Sequence, residues 1–182
     1  RHYEYDKFDN RMVIAYFDWD AILNQAYYTG TRFQLVDELR KVWYSDVIQI
    51  EDYMDYDIET VLDEEDRLIN VRLQVFDKNT DAIYDEVLIE RNFDEQKILN
   101  EYIRINDRNG TIIDEQETLY YYDLNNYLVT EQHIVIQNLT DGFIEPFIKQ
   151  YEYNCEGLVS NYVLRITNPD GTTAVSRVSY SY

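Results

Sequence analysis

Alternation of apolar and polar positions is the dominant pattern along this chain. Val71, Leu73 and Val75 alternate with an arginine and a glutamine, and similar alternation returns in several later segments. A period of two is typical of strands with one buried face. Short polar stretches rich in Asp, Asn and Gly separate these segments and favour tight turns. We therefore expect an all-β chain in which one hairpin follows another.

An aromatic or aliphatic residue followed by Asp or Asn recurs about every 30 residues. The acidic or amide residues of these pairs, called anchors here, are Asp6, Asp37, Asp63, Asp94, Asp123 and Asn154. Their spacings are 31, 26, 31, 29 and 31 residues. Such a period indicates a tandem array of one supersecondary element.

Each anchor opens a polar turn that ends in an apolar pair, as when Asp63 is followed by Leu68 and Ile69. The anchor oxygen can accept backbone N–H groups ahead of it. After three of the anchors, the third residue along the chain is of a type that tolerates the left-handed conformation. These residues are Asp66, Asn126 and Gly157. Arg40 and Lys97 suit that position poorly, so we expect their turns to differ.

Six repeats of about 30 residues follow from these anchors. Their approximate bounds are 1–31, 32–56, 57–86, 87–116, 117–148 and 149–182. With two strands each, they predict a single domain, 1–182, built as an antiparallel meander of about twelve strands. A twisted sheet of that width tends to curl, so we expect a curved sheet, a partial barrel or a sheet folded over itself.

The second repeat allows a different interpretation. Five apolar residues have the spacing of one helix face: Leu35, Val36, Leu39, Val42 and Trp43. A short amphipathic helix near 33–44 is therefore an alternative to the second hairpin. The anchor at Asp37 favours the hairpin.

The charge balance excludes some partners. The chain has 36 acidic and 16 basic residues, for a net charge of −20. Nucleic-acid and anionic-membrane binding need basic patches, so neither is expected. No apolar run reaches the roughly 20 residues that span a bilayer, so membrane insertion is not expected either.

No catalytic constellation stands out. The two histidines are His2, at the terminus, and His133, in a predicted strand where it fits a polar face. Sequences typical of nucleophile elbows, phosphate-binding loops and zinc proteases are absent. Cys155 is the only cysteine, and we expect it to be a half-buried structural residue. The sequence therefore predicts no enzyme and no catalytic residue.

Tyrosines are the most suggestive candidates for binding, since the chain has 19 of them. If the repeats stack in register, seven form an aromatic ladder across the sheet: Tyr3, Tyr5, Tyr120, Tyr121, Tyr122, Tyr151 and Tyr153. Cross-strand aromatic pairs stabilise sheets, which accounts for a ladder structurally. The functional alternative is a platform for sugar rings or for a protein partner.

One segment has the spacing of oxygen ligands in a calcium loop. Asp77, Asn79 and Asp81 alternate, and Asp85 stands at a further ligand position. Ala82 replaces the glycine that such loops require, so turn chemistry is the simpler interpretation. Calcium is the one cofactor that the sequence brings into consideration.

The anchors resemble the YD repeats of RHS-type proteins, in which Tyr-Asp is followed by two residues and then Gly, Arg and Leu. The segments 153–158 and 62–68 match best, although Gly takes its expected place only once. Similar tandem hairpins occur in secreted repeat proteins of Bacteroidetes. The resemblance implies a secreted or surface-exposed β-repeat array and carries over no catalytic residue.

The expected function is a non-catalytic extracellular, cell-surface or periplasmic module, structural or binding a protein or carbohydrate partner. The alternative is an acidic inhibitor or immunity-type protein that masks a basic surface. The chain begins at Arg1 without a recognisable leader, so we expect a processed protein or a fragment. No pattern indicates an oligomeric state.

Overall fold

The computed structural model describes residues 2–5, 11–20, 22–36, 41–95, 97–107, 109–139 and 145–181. These residues form thirteen strands and no helix. The strands are β1 His2–Tyr5, β2 Arg11–Asp20, β3 Gln25–Val36, β4 Val42–Ile48, β5 Met54–Leu62, β6 Leu68–Asp77, β7 Ile83–Asp94, β8 Lys97–Asn106, β9 Ile112–Tyr122, β10 Leu128–Asn138, β11 Phe147–Tyr153, β12 Val159–Thr167 and β13 Thr173–Ser179.

The all-β antiparallel meander is confirmed, but it divides into two sheets where one was predicted. The first sheet has the order β1-β2-β3-β4, and the second runs from β5 to β13 with sequential strands as neighbours. The second sheet is open, with β5 and β13 at its two ends. The described chain also contains one strand more than the twelve expected, because β13 follows a further turn at 168–171.

The chain forms two compact units, residues 1–86 and 87–182, with the boundary inside β7. They are called the N-terminal and C-terminal units below. The prediction of one domain divided into six repeats stays a prediction. None of the described segments is a helix long and apolar enough to cross a membrane.

The anchors mark strand ends as predicted. An anchor or the residue before it ends each odd-numbered strand from β1 to β11: Tyr5, Val36, Leu62, Asp94, Tyr122 and Tyr153. The anchors Asp6 and Asp37 themselves lie outside the described residues.

The turn after β9 shows why an anchor ends a strand. Asp123 Oδ1 accepts the backbone N–H groups of Asn125 at 2.8 Å and Tyr127 at 3.0 Å. These two bonds bend the chain back on itself and satisfy donors that leave the ladder. The predicted left-handed residues have positive φ: Asp66 at 64°, Asn126 at 68° and Gly157 at 78°.

One predicted exception is confirmed. In the turn between β7 and β8, positive φ falls at Glu95, directly after the anchor Asp94, with a value of 51°. Strand β8 already begins at Lys97, so this turn is shorter than the turn between β9 and β10. Arg40 lies outside the described residues.

The helix alternative near 33–44 is wrong for every described residue in that range. Phe33 to Val36 end β3, and β4 begins at Val42 with Val36 as its cross-strand partner. Phe33 and Leu35 are buried on both sides of a half-buried Gln34, which is a strand pattern. The apolar spacing from residue 35 onward fitted a helix face as well, so spacing alone could not decide.

The N-terminal unit has a layered core. Val13 and Phe33 of the first sheet are buried, as are Leu73 and Val75 of β6. The Phe33 ring lies edge-on to Tyr56 of β5, with ring centroids 5.0 Å apart. When two sheets pack face to face, they bury an apolar face that a single sheet would leave exposed to solvent. This packing is the physical reason why the meander breaks between β4 and β5.

The C-terminal unit carries buried polar side chains as well as apolar ones. Arg91 on β7 and Glu101 on β8 form an ion pair of 3.1 Å, with side chains 2% and 3% exposed. Thr118 on β9 is the cross-strand neighbour of both Glu101 and His133. A polar row therefore crosses β7 to β10 on one side of the sheet.

Candidate ligand-binding face

Three tyrosines follow one another across the last strands of the C-terminal unit. Tyr151 on β11 is directly opposite Tyr162 on β12, and Tyr180 lies just beyond β13. Ring centroids are 6.2 Å apart in both successive pairs, with tilts of 52° and 44°. We call Tyr151, Tyr162 and Tyr180 the tyrosine row.

The end of the tyrosine row is fixed by the backbone. Tyr180 lies outside the regular strand, but its N–H donates to the carbonyl of Ser160 at 2.8 Å. The Tyr180 side chain is 48% exposed. The row therefore presents aromatic surface to solvent from a position that the sheet holds in place.

A lysine lies against the tyrosine row. Lys149 precedes Tyr151 by two residues on β11, so both side chains point to the same side of the sheet. Its Nζ atom is 4.9 Å from the ring centroid of Tyr151 and 4.6 Å from that of Tyr162. An ammonium at this distance is attracted to the negative face of an aromatic ring.

A groove of about 260 Å³ runs beside the row. Its lining combines two aliphatic side chains, two aromatic rings and three charged groups: Leu164, Ile166, Phe147, Tyr162, Glu131, Glu145 and Lys149. A largely apolar lining with a few polar groups is typical of sites for small ligands. The groove and the tyrosine row together are called the candidate face.

One side of the candidate face is organised by Glu131. The Tyr151 hydroxyl donates to Glu131 Oε2 at 2.8 Å. Burial, this hydrogen bond and the negative charge of Glu131 raise the pKa of Tyr151 above its ordinary 10.0. Tyr151 therefore stays a neutral donor, and Glu131 is held at the edge of the groove.

Two of the predicted ladder tyrosines have a different role. The Tyr122 hydroxyl donates to the carbonyl of Ile98 at 3.0 Å, and that of Tyr153 donates to the carbonyl of Leu128 at 2.8 Å. Each contact reaches the second strand of the preceding hairpin. Tyr122 and Tyr153, called the hairpin ties below, thus hold successive hairpins together, and the candidate face excludes them.

The predicted single ladder is wrong in its geometry. Tyr120 and Tyr121 are consecutive on β9, so their side chains point to opposite sides of the sheet. Tyr120 pairs with Glu131, and Tyr121 is 46% exposed on the other side. Tyr3 and Tyr5 lie on β1, in the other sheet.

Sequence reasoning missed Tyr162 and Tyr180. Regular pairing outward from the turn at the anchor Asn154 would place Asn161 opposite Tyr151, and the register shift between Glu152 and Tyr153 brings Tyr162 there instead. The turn at 168–171 is followed by regular pairing, which places Val178 opposite Tyr162, two residues before Tyr180.

The candidate calcium ligands lie in the turn between β6 and β7. Asp77 Oδ1 accepts the backbone N–H groups of Asn79 at 2.7 Å and Thr80 at 3.1 Å. Asp81 has a φ of 56°, and Asp85 lies on β7. In the part of the chain that the structure describes, no three His, Cys, Asp or Glu side chains form a group that could hold a metal. Calcium binding stays a prediction.

The single cysteine and His133 have ordinary surroundings. Cys155 is exposed in the turn after β11, so the prediction of a half-buried thiol is wrong. It directly follows an anchor, where the chain leaves the sheet. His133 stacks on Phe147 with ring centroids 5.1 Å apart, and its Nδ1 is 3.1 Å from Thr118 Oγ1.

No family model and no curated protein matches this chain. The resemblance to YD repeats therefore stays a prediction from the anchors.

Proposed function

We propose that this chain is a non-catalytic binding module that holds a glycan on the tyrosine row. The observation that carries the proposal is the even 6.2 Å spacing of three rings beside a largely apolar groove with three charged groups. Sugar rings present faces of C–H groups that pack on aromatic rings. Their hydroxyl groups can donate hydrogen bonds to the nearby carboxylates. The regular spacing of the tyrosine row therefore suits a ligand that repeats a sugar ring.

Fixed positions of the rings support this proposal. Tyr151 is held by Glu131, and Tyr180 is held through its backbone. A preorganised platform loses little conformational entropy on binding, which favours affinity.

The absence of a catalytic step is part of the proposal. His133 is stacked on Phe147 and contacts Thr118, which suits a structural role more than proton transfer. Glu131 already accepts the Tyr151 hydroxyl. A surface-exposed, extracellular or periplasmic setting agrees with the resemblance to YD repeats, and glycans are abundant in those settings.

Two tyrosine substitutions test the proposal on the same sheet. Tyr162→Ala removes the central ring of the row, and Tyr121→Ala removes an exposed ring from the opposite side. In glycan-array and calorimetric binding, we expect Tyr162→Ala to lose roughly tenfold or more in affinity, as for a central aromatic contact. Tyr121→Ala should bind normally. If both variants bind like the unmodified chain, or if no glycan binds, the proposal fails.

A masking role is the second candidate, and strand β5 favours it. This strand is one end of the nine-stranded sheet, and Asp55, Asp57 and Glu59 are exposed along one of its sides. An acidic stripe at a sheet edge could cover a basic surface of another protein. Such binding would weaken steeply with salt and would be lost when the three acids are neutralised. Glycan binding would instead leave these acids uninvolved.

A further inference from the structure

The charges of the groove restrict the kind of glycan that it can hold. Two carboxylates, Glu131 and Glu145, line it, with Lys149 as the single cation in the lining. The Lys149 ammonium lies over two rings. The whole chain has a net charge of −20. A ligand with acidic groups would meet repulsion here, whereas a cationic ligand would be attracted.

The position of Lys149 shows that the rings accommodate an ammonium group. Its Nζ lies within the roughly 6 Å of a ring centroid at which cation–π attraction operates, at 4.6 Å from Tyr162 and 4.9 Å from Tyr151. Lys149 is attached to a flexible stem of four carbons. A ligand ammonium could therefore take its place over the rings when the stem rotates away.

We infer that the glycan bound by this module carries free amino groups, as in a de-N-acetylated amino-sugar polymer. This inference rests on the proposed function and names its ligand class. The sugar rings stack along the tyrosine row, and their ammonium groups lie against the ring faces. Glu131 and Glu145 accept charge-assisted hydrogen bonds from the same groups, which are stronger than bonds between neutral partners.

A basic peptide is the other source of ammonium groups, and the row favours the glycan. Three rings at equal spacing across adjacent strands match a ligand that repeats a sugar ring. Lysine side chains would use the carboxylates but would not need the third ring at Tyr180. A lysine-rich peptide is therefore one arm of the test.

The test compares glucosamine oligomers with N-acetylglucosamine oligomers of the same length by calorimetry. The pH is set where carboxylates are ionised and the sugar amines are protonated. We expect the amine-bearing oligomer to bind at least roughly tenfold more tightly, since charge-assisted bonds are lost in the acetylated one. Glu131→Gln and Glu145→Gln should remove much of this difference.

Lys149→Met is a second test, in which the affinity is expected to rise and not to fall. It keeps an apolar stem and removes the competing ammonium, so affinity for the glucosamine oligomer should rise by roughly two- to fivefold. Lys97→Met is the matched control, because Lys97 lies 5.6 Å from the Tyr122 ring, outside the groove. Thermal melts establish that each variant is folded.

The outcomes separate this inference from the proposed function. Equal binding of the two oligomers overturns the inference and leaves glycan binding intact. No binding of either oligomer or of any other glycan overturns both. Binding of the lysine-rich peptide alone overturns the inference in favour of a basic protein partner. A fall in affinity for Lys149→Met also overturns it, since Lys149 would then be a ligand contact.

Discussion

At the scale of single residues, the tyrosines of the C-terminal unit divide by where their hydroxyl groups bond. The hairpin ties, Tyr122 and Tyr153, donate to backbone carbonyls inside the sheet. Tyr151 in the tyrosine row instead donates to a carboxylate at the edge of a groove. We therefore expect substitutions in the two sets to affect different properties, stability in the first and binding in the second.

Tyr153→Phe tests the first set. The variant loses the bond to the Leu128 carbonyl and should lower the free energy of unfolding by about 1 kcal/mol. Urea denaturation measures this change, and glycan affinity should be unchanged. Tyr121→Phe, at a site 46% exposed on the opposite side, is the control and should be nearly neutral. Equal losses in both variants would contradict the role of Tyr153 as a hairpin tie.

Gly157 tests the geometry of the turns. It has a φ of +78°, and an added Cβ would lie 2.6 Å from the Tyr127 hydroxyl oxygen. Gly171 has a φ of +81° and open space around it. Both Gly→Ala changes should destabilise by about 1 kcal/mol for backbone strain. Gly157→Ala should cost more, because Tyr127 must move.

A double variant isolates the contact between Gly157 and Tyr127. Tyr127→Phe removes the nearest atom, so the excess cost of Gly157→Ala over Gly171→Ala should shrink in that background. Tyr127 also packs on Tyr153 with ring centroids 4.7 Å apart, which limits how far it can move. An unchanged excess in denaturation experiments would show that this contact is not the cause.

Asp107 connects a turn to the pH dependence of stability. Backbone N–H groups of Asn109 and Thr111 donate to Asp107 and hold the pKa of its carboxyl below the ordinary 3.8. A lowered pKa in the folded state stabilises the fold above the unfolded pKa, and this contribution is lost as pH falls through the folded value.

Asp107→Asn keeps an acceptor oxygen but does not titrate. Below pH 3.8 its free energy of unfolding should therefore fall less steeply than that of the unmodified chain. Parallel urea denaturation across this pH range measures the difference between the two proteins. Parallel pH curves would contradict the assigned hydrogen bonds.

At the scale of strands, the local features were predictable and the long-range ones were not. The anchors located strand ends, and Asp66, Asn126 and Gly157 took the expected left-handed conformation. These features depend on a few neighbouring residues. The break between β4 and β5 depends on Phe33 meeting Tyr56, 23 residues away in sequence, and no local pattern encodes that contact.

The candidate face was predictable only in part, for the same reason. Tyr151 was found from its position before an anchor. Tyr162 becomes its partner only through the register of β11 and β12, and Tyr180 only through the strand that follows. Glu131 and Lys149 join the face through cross-strand neighbours, so composition and motifs gave no sign of them.

Strand β5 gives a prediction about self-association. Among the described residues, no strand pairs with the outer edge of β5, so this edge is a template for another strand. Alternate acids at Asp55, Asp57 and Glu59 protect such an edge by repulsion. The double change Asp57→Thr and Glu59→Thr should increase association in sedimentation experiments. The control is the double change Glu64→Gln and Glu156→Gln, which removes the same amount of negative charge from two exposed turns. Equal association in both variants would show that net charge alone keeps the chain apart.

At the scale of the whole molecule, the net charge of −20 and the candidate face favour the same ligand. A strongly acidic chain attracts cationic polymers from a distance, and the attraction weakens as salt shortens the screening length to about 10 Å at 0.1 M. Ring stacking on the tyrosine row is insensitive to salt. Added salt should therefore slow the binding of an amino-sugar polymer and leave a residual affinity from stacking.

The most direct measurement of the central claim is an NMR titration of the labelled chain with a glucosamine oligomer. We predict that the ring signals of Tyr151, Tyr162 and Tyr180 shift together with those of Lys149, along one saturation curve. The signals of Tyr121, on the opposite side of the sheet, should stay in place. Shifts centred on Tyr121 or on strand β5, with the tyrosine row unchanged, would contradict the account.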